Sequence, residues 1–153
     1  MNEILIPISN KEFKEKVTIR FNSINDGFNN YNNKTIEGNE EAFISFLQEA
    51  FELNGEDNSY VDFYYNVLND EDKILLEKFE KNYHEKNIYF KLTKESIPFI
   101  TRLSTREILF STIYFTKYPC TIWGNYNKSF PIFYHDNNDI QQYLNIKNEL
   151  QFF

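Results

Sequence analysis

Between residues 108 and 134 the chain reads ILFSTIYF, TIWG and FPIFY, three runs of β-branched and aromatic residues separated by turn formers. Such runs fit a pleated, buried surface, and the short spacers between them suit antiparallel neighbours rather than crossovers. Pro119 and Pro131 fall where strands start or lie at an edge, and Gly124, Asn125 and Asn127 supply the chemistry of a connecting loop. A three-stranded antiparallel meander over about residues 108–135 is the expected centre of the fold. Strict alternation then sends Ile122 to one face and Trp123, the only tryptophan, to the other.

The preceding half reads as helical. Phe13, Val17, Phe21, Ile24, Phe28 and Tyr31 recur at steps of three and four, which predicts one helix through residues 10–33. Val17, Ile19 and Phe21 also alternate as in a strand, and Gly27 among asparagines favours a turn. Asn39 is a good N-cap, followed by Glu40 and Glu41 where the helix dipole favours carboxylates. Phe43, Phe46, Leu47, Ala50 and Phe51 form an apolar stripe that Asn54-Gly55 ends. The aromatic run YVDFYYNVL reads as a short helix, and Asn69 caps a further helix over about residues 70–86.

Short strands are expected at EILIP, where Pro7 marks an edge, and at IYFKL. TKESIPFITRL predicts a helix with Pro98 in its first turn, and residues 136–150 a terminal helix. Ser104 and Glu107 have the spacing of a capping box, which would start a helix in competition with the strand at 108–115. The whole is expected to be one α+β domain of 153 residues, its helical first half packed on the small meander and followed by a C-terminal helix.

Charge distribution carries the strongest functional signal. The net charge is -7, but residues 37–80 hold thirteen acids against Lys73 and Lys78, while the remaining chain is net basic. An acidic chain is a poor ligand for nucleic acid, which is bound through lysines and arginines that neutralise phosphates. The start MNEILIPISN lacks a basic region and a long apolar core, no stretch approaches the length of a bilayer span, and one cysteine forms no internal disulfide. The expected compartment is the cytoplasm, with no membrane partner.

Within the acidic segment, aromatics are interleaved with charge. Glu56, Asp57, Tyr60, Asp62, Tyr64, Asp70, Glu71 and Asp72 form the candidate binding surface: carboxylates to steer a basic partner, tyrosines to anchor it. The function expected on this basis is that of a small acidic binding protein. It would neutralise a basic protein partner, toxin-like or nuclease-like, in the manner of an immunity protein, antitoxin or phage inhibitor.

The alternative is a small-molecule or enzymatic pocket around Cys120 and His135. A turn near Tyr126-Asn127 sets Cys120 opposite Phe133 or Tyr134, with His135 one strand position away. A mid-strand cysteine lacks the helix N-terminus or cation that lowers a thiol pKa, however, and free cysteine is commonly a packing residue. His135, Asp136 and Asp139 fall short of a zinc ligand set, and Asp136 reads better as a helix cap. Four scattered glycines make no phosphate-binding loop. No catalytic residue, metal or cofactor is assigned. For Arg102 and Arg106, salt bridges to the acidic half are the simplest role.

Overall fold

A computed structural model of the chain describes residues 5–64, 70–71 and 88–153. Its centre is an antiparallel sheet of eight strands: β1 (Ile6–Pro7), β2 (Asn32–Glu37), β3 (Ser59–Asp62), β4 (Tyr89–Lys91), β5 (Thr112–Phe115), β6 (Cys120–Trp123), β7 (Ser129–Tyr134) and β8 (Gln151–Phe152). They lie in the order β1-β4-β3-β5-β6-β7-β2-β8. The three-stranded meander of the sequence reading is present as β5-β6-β7, but it is the middle of a much larger sheet. The class remains α+β, while the small sheet and the helical first half are corrected, because β2 and β3, beside the strand expected at EILIP, come from that half.

Five helices are described: α1 (Asn10–Lys16), α2 (Ile24–Asn30), α3 (Glu40–Asn54), α4 (Ser96–Thr105) and α5 (Asn137–Leu144). Helix α3 follows the sequence closely. Asn39 Oδ1 accepts the Ala42 N–H at 2.8 Å, the five stripe residues are buried, and Gly55 ends the helix at φ +91°, where a side chain would be strained.

The single helix expected over residues 10–33 is instead two helices and the start of a strand. Ser9 and Ser23 each accept a backbone N–H from three residues on, at 3.1 and 3.4 Å, and so start two separate helices. Val17, in an extended conformation, stops the first. The connection between them keeps the alternation seen in the sequence: Val17 and Ile19 are buried, whereas Thr18 and Arg20 are exposed. Tyr31 is extended too, and β2 follows, pairing residue for residue with β7 from Asn32↔Tyr134 to Glu37↔Ser129.

The expected short helix at YVDFYYNVL begins as β3, and residues 65–69 of that run lie outside the described residues. Both faces of β3 are buried, so polarity does not alternate and the strand signal is masked. The predicted helix over 70–86 falls almost wholly outside the described residues, and so does His84. The terminal helix is shorter than expected, and the chain after it returns to pair with β2 as β8. Ser104 does not open a helix. It lies in the last turn of α4, its hydroxyl accepting the Ser111 N–H at 3.1 Å, and Glu107 leaves the helix in the left-handed region at φ 59°.

The sheet separates two cores. On one face α3, α4 and α5 bury Phe46, Leu47, Ile97, Ile100, Ile140 and Tyr143 against Ile36, Val61, Phe90, Ile113, Cys120, Ile122 and Ile132. On the other face α1 and the chain beyond it cover a smaller area. Phe13 stacks on Tyr89 at 3.8 Å between ring centres and meets Tyr114 edge-on at 4.9 Å. Phe21 stacks on Trp123 at 5.4 Å and touches Phe133, which Phe28 also meets. Gly27 permits this approach, because a Cβ there would stand 2.7 Å from the Phe21 ring. Between the α1 contacts and the Phe21–Trp123 stack, the second face is left open.

Candidate functional site

The opening is a groove of about 610 Å³. Its floor is one row of residues that the strand register places side by side: Tyr89 of β4 opposite Asp62 of β3, then Thr112 of β5 opposite Trp123 of β6. Asp62 Oδ1 accepts the Thr112 N–H at 2.7 Å and Oδ2 accepts the Tyr114 hydroxyl at 3.2 Å. Tyr64 and Phe110 line the walls, as does Tyr126, which packs edge-on against Phe110 at 4.7 Å. Lys14, Arg20 and Asp26 reach the groove from α1, the connection and α2. Arg20 is tethered by its Nε, which donates to the Val17 carbonyl at 3.3 Å.

Asp62 is the one charged residue buried among the described residues, at 5% exposure. Burial penalises its carboxylate, and the donors from Thr112 and Tyr114 offset only part of that penalty, so its pKa is pushed up to about 7. The phenols around it move upward as well. Burial, and secondarily the Asp62 charge, raise Tyr89, and raise Tyr64 to about 12, so both remain hydrogen-bond donors at neutral pH. A carboxyl displaced towards neutrality in a cleft walled by aromatics makes this groove the candidate site.

The sequence-predicted surface residues divide. Glu56, Asp57, Asp70 and Glu71 are exposed, Tyr64 is 42% exposed on the groove wall, and Asp72 lies outside the described residues. Tyr60 and Asp62 are not surface residues: both point into the second-face layer, where the Tyr60 hydroxyl donates to the Asp57 carbonyl at 2.8 Å. The acidic segment is also less naked than its composition implied. Asp57 pairs with Lys91 at 3.5 Å and Glu52 with Lys94 at 2.9 Å. Glu40 receives both Arg106 Nε and Nη2, at 3.0 and 3.1 Å, while Arg102 stands near Glu41 at 3.8 Å. Two-pronged donation by Arg106, joined by the Thr105 hydroxyl, holds the Glu40 carboxyl below its usual range.

Cys120 and His135 are not brought together. Cys120 pairs with Tyr134, as the turn position implied, so His135 belongs to the opposite face and is exposed. There it packs on Tyr31 at 5.2 Å, while Cys120 is fully buried in the helical-side core. Burial pushes its thiol well above the ordinary range, the reverse of an activated nucleophile. Asp136 is a helix cap, accepting the Asp139 N–H at 3.0 Å.

A second recess of about 660 Å³ lies beside residues 91–95, but Lys91 and Lys94 on its wall are already paired with Asp57 and Glu52. No described helix is long and apolar enough to cross a membrane. Comparison with protein-family models, with curated proteins and with solved structures finds no match. The groove therefore stands on its own geometry. Sequence reading missed most of it, although each strand carries the trace: Tyr89 in IYFKL, Tyr114 in TIYF and Trp123 in TIWG are aromatic residues on the face opposite the principal core.

Proposed function

We propose that this chain is a small acidic binding protein of the cytoplasm that captures and neutralises a basic protein partner, with the second-face groove as its docking seat. The observation that carries this reading is the groove itself, in which Tyr126 and Tyr64 stand 59% and 42% exposed beside an ionisable floor. Rigid aromatics at a concave rim are the usual anchors of protein recognition, and a chain of net charge -7 attracts partners of the opposite sign. Exposed Asp70 and Glu71 follow β3 in the chain and add carboxylates suited to steering rather than to anchoring.

The test starts from a basic protein recovered with this chain from its source cells, identified, purified and measured again as a pure pair. Tyr126→Ala is expected to raise the dissociation rate by about tenfold, the equivalent of one anchor contact. Asp70→Lys combined with Glu71→Lys is expected to act on the association rate, with an effect that shrinks as salt is added. An unchanged affinity for both variants at low salt would refute the assignment.

A further inference from the structure

Resting on the reading of the groove as a docking seat, we infer that its floor is a receptor for a single cationic side chain, a lysine ammonium or arginine guanidinium presented by the partner. The contrast between Asp62 and the other described acids, which either have a cationic partner or reach solvent, carries this. Glu12, Glu40, Glu41, Glu52 and Asp57 all have a lysine or arginine partner. Asp62, the buried one, makes no ion pair among the described residues; its donors are the Thr112 N–H, the Tyr114 phenol and the Thr112 hydroxyl, none of them charged. A buried acid without a counter-ion is a standing cost to the fold, and a ligand that supplies the cation removes that cost. Thr112 and Tyr114 do not fill the carboxylate, since each of its oxygens accepts more than one donor.

The surroundings match the same guest. Tyr64, Tyr89 and Trp123 line the approach to Asp62, and aromatic faces attract cations that have shed their water. The neighbouring charges limit the guest to one cation. Lys14 from α1 and Arg20 from the α1–α2 connection repel a second positive charge, and Asp26 of α2 is the other carboxylate at the groove. The guest is thus an isolated lysine or arginine on an otherwise neutral or acidic stretch of the partner, not a polybasic run.

Trp123, the only tryptophan, lies in the groove wall and reports occupancy directly by its fluorescence. The probes are N-acetyl-arginine amide, N-acetyl-lysine amide and, as the uncharged isostere, N-acetyl-citrulline amide. Expected are saturable changes with the two cations and at least about tenfold weaker binding of citrulline, the difference one charge-assisted contact makes. Asp62→Asn, which keeps the size and the contact with the Thr112 N–H but removes the charge, is expected to erase the preference for arginine over citrulline.

If that variant does not fold, the pH dependence of the unaltered protein decides. Asp62 is faced by Tyr64, Tyr89 and Tyr114, by Lys14 and Arg20, and by Asp26. With Asp62 displaced to about 7, arginine binding should be about tenfold weaker at about pH 6 than at about pH 8. Equal binding of arginine and citrulline amides, or cation binding indifferent to both Asp62→Asn and pH, overturns the inference. The docking reading is separate: a partner whose capture depends on Tyr126 but not on Asp62 upholds the seat and removes the cation. Cation-selective probe binding with no effect of Tyr126→Ala on partner capture does the opposite.

Discussion

Replacing Asp62 by asparagine should stabilise this protein, and by an amount that depends on pH. The amide occupies the same space, its oxygen can still accept the Thr112 N–H, bonded at 2.7 Å, and its NH2 can donate to the Tyr114 oxygen in place of the phenol's own donation at 3.2 Å, as a protonated carboxyl would. What disappears is the ionisation. In the unfolded chain the carboxyl gives up its proton at its ordinary value of 3.8, but in the fold it holds the proton up to about 7. Between those values the folded state binds more protons than the unfolded state, so stability falls as pH rises and levels off above the folded pKa.

Three pKa units at about 1.4 kcal/mol each put the full loss on the order of 4 kcal/mol. That is a large share of the roughly 5–15 kcal/mol that holds a domain together. Urea unfolding of both proteins at a series of pH values measures it, since titrations common to the two cancel in the difference. The curves should coincide near about pH 4, with the variant pulling ahead through neutrality until it leads by on the order of 4 kcal/mol at about pH 8. Parallel profiles, or a variant weaker than the parent at the alkaline end, would refute the reasoning that Asp62 is buried without compensation.

Cys120, enclosed in the principal core, should resist alkylation in the native protein at neutral pH and react only at the rate of unfolding. Rapid labelling of the folded chain would contradict its placement. Glu40→Gln removes a carboxylate held by Arg106 and Thr105 and should cost about 1 kcal/mol near neutrality. Because the folded pKa of Glu40 is lowered, that contribution is present above the ordinary carboxyl range and fades as pH falls through the folded value, so the two thermal midpoints should converge in acid. Gly124→Ala places a Cβ 2.6 Å from the Ser111 carbonyl oxygen, where backbone rather than a flexible side chain must yield. It should lower stability by about 1–3 kcal/mol in chemical denaturation.

Some of this architecture was legible in the sequence and some was not, for identifiable reasons. Asn39, the Phe43-to-Phe51 stripe and Gly55 specify α3 locally, with no need of distant partners. The β6–β7 turn is equally local, and it sets Cys120 opposite Tyr134. By contrast β2, with the sequence NNKTIE, offers one buried apolar residue, and it is a strand because β7 pairs with it from about a hundred residues away.

The long helix expected from Phe13 to Tyr31 failed because its apolar spacing came from two short helices and an extended link, each packing aromatics onto the same sheet face. The charge asymmetry of the sequence is partly offset in the fold for a related reason: Lys91, Lys94, Arg102 and Arg106 are remote in sequence from the acids they meet. The groove was the least legible part. Its floor takes one residue from each of four strands, and the clues were scattered: an acid amid the aromatics of YVDFYY, with Tyr89 in IYFKL, Tyr114 in TIYF and Trp123 in TIWG.

The most direct test of the central claim is a carbon-13 NMR titration of the Asp62 side-chain carboxyl, alone and with saturating N-acetyl-arginine amide. Alone it should titrate near about 7, and the bound cation should draw the midpoint down by about one unit or more, the signature of a charge partner entering the groove. A free carboxyl titrating in the ordinary range near 3.8, or a midpoint that the cation leaves in place, would contradict the account.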